Sequence, residues 1–307
     1  MANQDVVLMR NAIVNNDHAT IRAVLARNPN IDCEEHATAC SECEFTTNLT
    51  ILSAIYDQTQ MSNFVVTTTR ETVELLMELE ILMPTNIKFL DDYITSCECP
   101  DKWRFYDEIL PLFDRNAIRN YRSYWTENGV RKTRGSLINV LFYAFCKHPR
   151  LYEEFMRFVD MGVDPCVVTS GGLRALDSAI RIACIPIIRW YINHTDLNVN
   201  PTDEYVREAQ QCSQGTTSVV TTLASCYAGC YDPNDQWSDT MREYYELLCI
   251  LRDHGYTHFK DVDVDIEYPQ HPGDIARREE NTIHTYMTRM DWYNVYPHFE
   301  ELRGILA

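Results

Sequence analysis

A chain of 307 residues, 45% of them hydrophobic, is long enough to bury a large core in one elongated domain or two compact ones, so disorder is not its default state. Its formal net charge of −18 argues against nonspecific attraction to nucleic-acid phosphates or anionic membranes, because those contacts need clustered Lys and Arg. A basic partner, or solubility alone, fits the acidic balance.

The opening stretch "MANQDVVLMRNAIVNND" has no basic segment leading into an apolar run and a small-residue cleavage site, and so does not resemble a secretory leader. The longest apolar runs, such as "IACIPIIRWYI", fall short of the ~20 residues that cross a bilayer. The expectation is an intracellular protein, cytoplasmic or nuclear, whose 12 cysteines are reduced or hold metal. The sequons at Asn48 and Asn193 are then unused.

In "HATIRAVLARNPNID" the residues Ile21, Val24 and Leu25 follow the i, i+3, i+4 spacing of a half-buried helix, and the chain then turns at "NPN". Next comes "CEEHATACSEC", which places Cys33, His36, Cys40 and Cys43 in one polar stretch. Three thiols and an imidazole could close a tetrahedral zinc site, which would staple the loop and add folding energy there. The competing reading is a loop of reduced, partly buried thiols, since short motifs recur by chance. Cys97 and Cys99 in "CECP" could complete or replace ligands.

The helical unit recurs downstream. Val73, Leu76 and Met77 share a face, as do Leu151, Phe155, Phe158 and Val159, and Gly162 follows where a left-handed C-terminal residue is needed. "IPIIRWYINHTDLNVN" repeats the scheme with Pro186 in the first turn. Tyr244, Leu247, Leu248 and Leu251 form a further face, stopped by Gly255. The equivalent positions Val163 and Leu197 are 34 residues apart, in the range of helical-hairpin repeats. Polar or turn-rich stretches at 56–69, 121–134 and 227–240 read as insertions between helices.

At these residues the chain resembles the ankyrin repeat family. "NLTILSAI" (Thr50, Ile51, Leu52), "GLRALDSAI" (Ala175, Leu176, Asp177) and "HPGDIARREENT" (His271, Pro272, Asp274, Ile275, Ala276) look like the family's helix-opening motif. "MGVDP" and "TDLNVN" approximate the phrase that ends its second helix. The resemblance implies an all-α, ankyrin-like solenoid of about six or seven helical hairpins with irregular insertions, forming one domain over 1–307. The approximate repeats are 1–46, 47–86, 87–120, 135–168, 169–202, 217–260 and 268–307. Pro111 falls inside the second helix expected for the 87–120 repeat. An unrelated all-helical solenoid is the rival fold.

The implied function is a noncatalytic protein–protein interaction module. Diverged repeats with such insertions look similar to those with which large viruses or intracellular microbes act on a host. Tyr124 and Trp125, with Tyr121 beside them, are candidate interface anchors, because aromatic side chains bury much area with few rotors. Trp292, Tyr293 and Tyr296 have the same character. In "DVDVDIE" the carboxylates Asp261, Asp263, Asp265 and Glu267 would line one side of an extended segment and meet a basic partner. Ile266 stands where a calcium loop requires glycine, which argues against that metal.

His254 and His258 are separated by Gly255 and do not share a helical face. No Gly-x-Gly, Gly-x-Ser-x-Gly or His-Glu-x-x-His pattern occurs, so the expectation is that the chain is not an enzyme. Two alternatives stand beside the interaction module. One is an acidic decoy that imitates a phosphate rail toward a basic protein, and the other is an enzyme that assembles its site from distant positions on a repeat-like scaffold.

Overall fold

Asp17 sets up the first helical hairpin. It follows helix α1 (Ala2–Val14) and caps helix α2 (His18–Arg27), accepting the Thr20 backbone N–H at 3.0 Å and the Thr20 hydroxyl at 2.6 Å. These bonds hold its carboxyl below the usual carboxylate range. Val6, Met9 and Ile13 on α1 are buried, as are Ile21 and Val24 on α2, in keeping with the helical spacing. The computed structural model describes residues 2–31, 51–55, 67–95, 102–127, 129–145, 148–211 and 239–257. The chain divides into two compact units, 1–123 and 124–307, and the described residues are mainly helical.

In the first unit α1 packs against α2 and against a 3-10 turn at Leu52–Ile55, where Ile51 and Ile55 are buried. Helix α3 (Arg70–Glu78) is capped by Thr69, and α4 spans Ile87–Thr95. The turn between α1 and α2 is tied to the entry of α3 through Asn16. Its amide donates to the Thr67 carbonyl at 2.7 Å and accepts from the Thr69 N–H at 2.8 Å and the Thr72 hydroxyl at 2.7 Å. Helix α5 (Lys102–Ile109) packs on α3 and ends before Pro111.

Pro111 therefore does not interrupt a helix, as the repeat pattern had suggested. It sits in a separate 3-10 turn, Leu110–Leu112, at a position where the missing N–H costs no hydrogen bond. Asp114 then caps the short helix α6 (Arg115–Asn120).

The second unit departs from an all-α reading in a two-stranded sheet and in an isolated antiparallel bridge between Val168 and Arg174. Strands β1 (Ser123–Glu127) and β2 (Val130–Gly135) pair as a two-stranded sheet, within the stretch expected as an insertion. The sequence between them, Asn128-Gly129, is the pair that a two-residue hairpin favours, and Gly129 has φ +77°. Helices α7 (Leu137–Ala144), α8 (Leu151–Asp160), α9 (Ala175–Arg181), α10 (Ile185–His194), α11 (Asp203–Gln211) and α12 (Asp239–Asp253) follow.

Helix α7 packs on both α8 and α9, and α10 packs on α9, α8 and α12. Phe155, Phe158, Ile187, Ile188, Tyr191, Leu247 and Leu251 are buried at these seams. Gly162 and Gly255 both take positive φ after α8 and α12, as expected.

Helix α9 begins with a buried ion pair. The Arg174 backbone N–H donates to Asp177 Oδ2 at 2.8 Å, while the guanidinium gives Nε to Oδ2 at 2.9 Å and Nη2 to Oδ1 at 2.5 Å. The two residues are 4% and 1% exposed, so removing one partner leaves the other charge buried and uncompensated. Asp177→Ala is expected to cost about 3–5 kcal/mol in urea unfolding. Arg189→Ala, which removes the exposed pair with Glu246, should cost no more than about 1 kcal/mol.

Candidate functional site

Four segments that flank helices are bonded in sequence in the second unit. Ser170 brackets Thr133 of β2: its N–H donates to the Thr133 carbonyl at 3.0 Å, and its Oγ accepts the Thr133 N–H at 2.7 Å. Two residues on, the Gly172 carbonyl accepts the Thr202 hydroxyl at 2.7 Å. Arg174 reaches the same loop, with Nη1 on the Asn198 carbonyl at 2.8 Å and Nη2 on the Asn200 carbonyl at 2.6 Å. Asn200 in turn donates to the Gly255 carbonyl at 3.0 Å and accepts the Thr257 N–H at 2.7 Å. Leu197, Val199, Asn200, His254 and Gly255 border a cavity of about 290 Å³ at this last join.

The β1–β2 hairpin projects from the first of these segments. A two-residue connection sets Tyr124 opposite Thr133 and diagonal to Arg131 on the same face. The Arg131 guanidinium lies over the Tyr124 ring, 3.7 Å from its centroid, an arrangement worth about 0.5–1 kcal/mol at an exposed position. Tyr124 is 45% exposed and Arg131 is exposed, so the stacked pair presents a mixed cationic and aromatic surface to solvent.

The aromatic anchors expected from the sequence divide. Tyr124 faces solvent, and Trp125 follows it in β1. Tyr121 instead turns inward: its hydroxyl donates to Asp91 Oδ2 at 2.8 Å, and the buried Ser123 hydroxyl donates to the same oxygen at 2.5 Å. Burial, then the Asp91 charge, pushes the Tyr121 hydroxyl well above its ordinary range. This cluster tethers α4 to the end of the first unit. The cysteines and histidine of the expected zinc stretch, Cys33, His36, Cys40 and Cys43, lie outside the described residues, as do Asp261, Asp263, Asp265, Glu267, Cys97, Cys99, His258, Trp292, Tyr293 and Tyr296. His254 is exposed in the turn after α12.

Among the described residues, no group of three or more His, Cys, Asp or Glu is placed to hold a metal ion. Burial pushes the Cys166 and Cys184 thiols up, away from the thiolate form that attacks carbon or binds metal. The buried charges have internal partners. Lys102 Nζ donates to the Ile94 carbonyl at 2.7 Å and sits 4.9 Å from the Trp103 ring centroid. Glu154 receives Arg150 at 2.5 Å and Arg157 at 3.4 Å.

Arg131, Ser170 and Arg174 fall outside the candidate residues that the sequence motifs mark. Asn128-Gly129 flanked by β-formers was the available signal for the hairpin that carries Arg131. No local pattern marks a guanidinium that will be buried.

Comparison with protein-family models, with curated proteins and with solved structures finds no match to this chain. Among the described residues, no helix is long and apolar enough to cross a membrane.

Gly172 tests the packing of the bonded segments. It has φ +72°, and a Cβ there would come within 2.5 Å of the Tyr205 backbone nitrogen and 2.6 Å of Thr202 Oγ1. Gly172→Ala is expected to destabilise by about 2–5 kcal/mol, combining backbone strain with overpacking. At Gly129 the same change meets nothing within 4 Å, so only the backbone term of about 1–2 kcal/mol remains. Thermal unfolding of the two variants side by side checks the difference.

Proposed function

We propose that this chain is a noncatalytic protein-interaction module, a stack of helical hairpins similar to ankyrin repeats that displays the β1–β2 hairpin as a contact surface. The supporting observation is the run of bonds that links Thr133 to Ser170, Gly172 to Thr202, and Asn200 to Gly255 and Thr257. A helical hairpin alone leaves one apolar face uncovered. Stacking covers it, and each added hairpin brings its connecting segment beside the last. The packing of α7 on α9 and of α8 on α10 follows that scheme, and the stretch carrying the family resemblance, Ala175 to Asp177, opens α9.

With the helices occupied in covering one another, the surface left for function is on the connecting segments. Tyr124 and Arg131 are the described residues best suited to it, since an exposed, pre-stacked aromatic loses little conformational freedom on binding. The role of host-interaction factor, and a basic surface elsewhere on the partner, belong to this same reading and draw on the sequence resemblance and the net charge of −18.

A photo-crosslinking amino acid at position 124, in cells that make the protein, should yield a covalent adduct with a distinct second protein. The same probe at Tyr152, which is exposed to a similar degree on α8, should yield none. Absence of an adduct at 124, or equal adducts at both positions, would sink the proposal.

A further inference from the structure

We infer that the β1–β2 hairpin receives an acidic segment of its protein partner, opposite in sign to what the chain's net charge suggests. The inference rests on the interaction-module reading above and names the chemistry of the partner at this one surface. Between Tyr124 and Gly135 the sequence carries Arg131, Lys132 and Arg134 against the single acid Glu127, in a chain whose formal net charge is −18. Arg131 stands on the Tyr124 face and strand alternation puts Lys132 and Arg134 on the other, so the segment is net basic within an acidic chain.

Screening decides which sign a partner meets. At physiological ionic strength the Debye length is about 8 Å, so a side chain seated on the hairpin responds to charges within reach of it, and the remote acidic surface is largely screened. The stacked geometry adds a directional element. With its flat face on the Tyr124 ring, the Arg131 guanidinium keeps its in-plane N–H groups at the edge, where a carboxylate can accept two of them in parallel. Arg131 is exposed, and the part-exposed Tyr124 ring beneath it supplies the apolar contact next to the charge.

A nucleic acid fits this surface less well. Duplex DNA presents a charge about every 1.7 Å, so a polyanion of any length would run beyond the single cation on the Tyr124 face, on a chain whose formal net charge is −18. A short acidic segment needs only a carboxylate at the Arg131 edge.

The test is fluorescence anisotropy at about 0.15 M salt, the regime in which local charge dominates. The protein is titrated into a fluorescein-labelled peptide of Asp and Glu in a Gly/Ser frame. A Lys/Arg peptide of equal length and a single-stranded oligonucleotide of equal charge serve as comparisons. The acidic peptide is expected to bind best. Arg131→Glu should weaken it at least about tenfold, because one charge-assisted pair is lost and a repulsion is added. Tyr124→Ala should also weaken it, while Tyr124→Phe, which keeps the ring, should not. Both positions are exposed, and an unchanged melting temperature in each variant checks that the fold is intact.

Equal binding by wild type and Arg131→Glu, or preference for the basic peptide or the oligonucleotide, would overturn the inference. If the acidic peptide fails while the crosslinked partner at position 124 persists, the acidic assignment falls and the module reading stands. If both are absent, both fall.

Discussion

Arg174 has five N–H donors on a side chain that is almost wholly buried, and each donor left without an acceptor there would cost free energy. Its position is consequently over-determined. Asp177 holds the guanidinium at the start of α9, and the Asn198 and Asn200 carbonyls hold it from the next loop. The same loop binds Gly255 and Thr257 through Asn200, so the register set at α9 is passed on to the segment after α12. A lysine would not reproduce this, because its three donors radiate from one nitrogen, whereas Arg174 uses Nε, Nη1 and Nη2 at separate positions. The order of the second unit's helices is thereby fixed by polar bonds as well as by the apolar seams around Phe155, Tyr191 and Leu251.

That polar framework also accounts for the character of the exposed surface. Ser170 takes both backbone groups of Thr133, which anchors the inner end of β2 and leaves its outer end projecting. Among the described residues, buried charges are turned to structural use. Asp91 gathers two hydroxyls, Glu154 sits between two arginines, and Lys102 donates to a helix-end carbonyl. Tyr124 and Arg131 differ from these because their interaction is with each other and both remain open to solvent. A large negative net charge and a locally basic hairpin are compatible, since the first governs long-range fields and the second governs contact.

Much of the helical pattern was legible in the chain. Ile21, Val24, Leu76, Phe155, Leu247 and Leu251 are buried on the faces that their spacing marked, Gly162 and Gly255 end helices, and Pro186 lies in the first turn of α10. These outcomes depend on neighbours within a few residues, where backbone geometry alone sets which side chains share a face. The hairpin was legible in principle from Asn128-Gly129, but read as an insertion it hid the pairing that brings Arg131 over Tyr124.

Tyr121 and Tyr124 are three residues apart and looked alike in the sequence. One is drawn inward by Asp91, 30 positions earlier in the chain, and the other is stacked outward under Arg131. The burial of Arg174 has the same origin, since its acceptors lie 24 and 26 residues away. Local sequence carries the helix faces and their stops because those follow from short-range sterics and periodicity. The fate of a polar or aromatic side chain depends on which distant groups the folded chain brings within hydrogen-bonding reach, and that is settled in the packed structure.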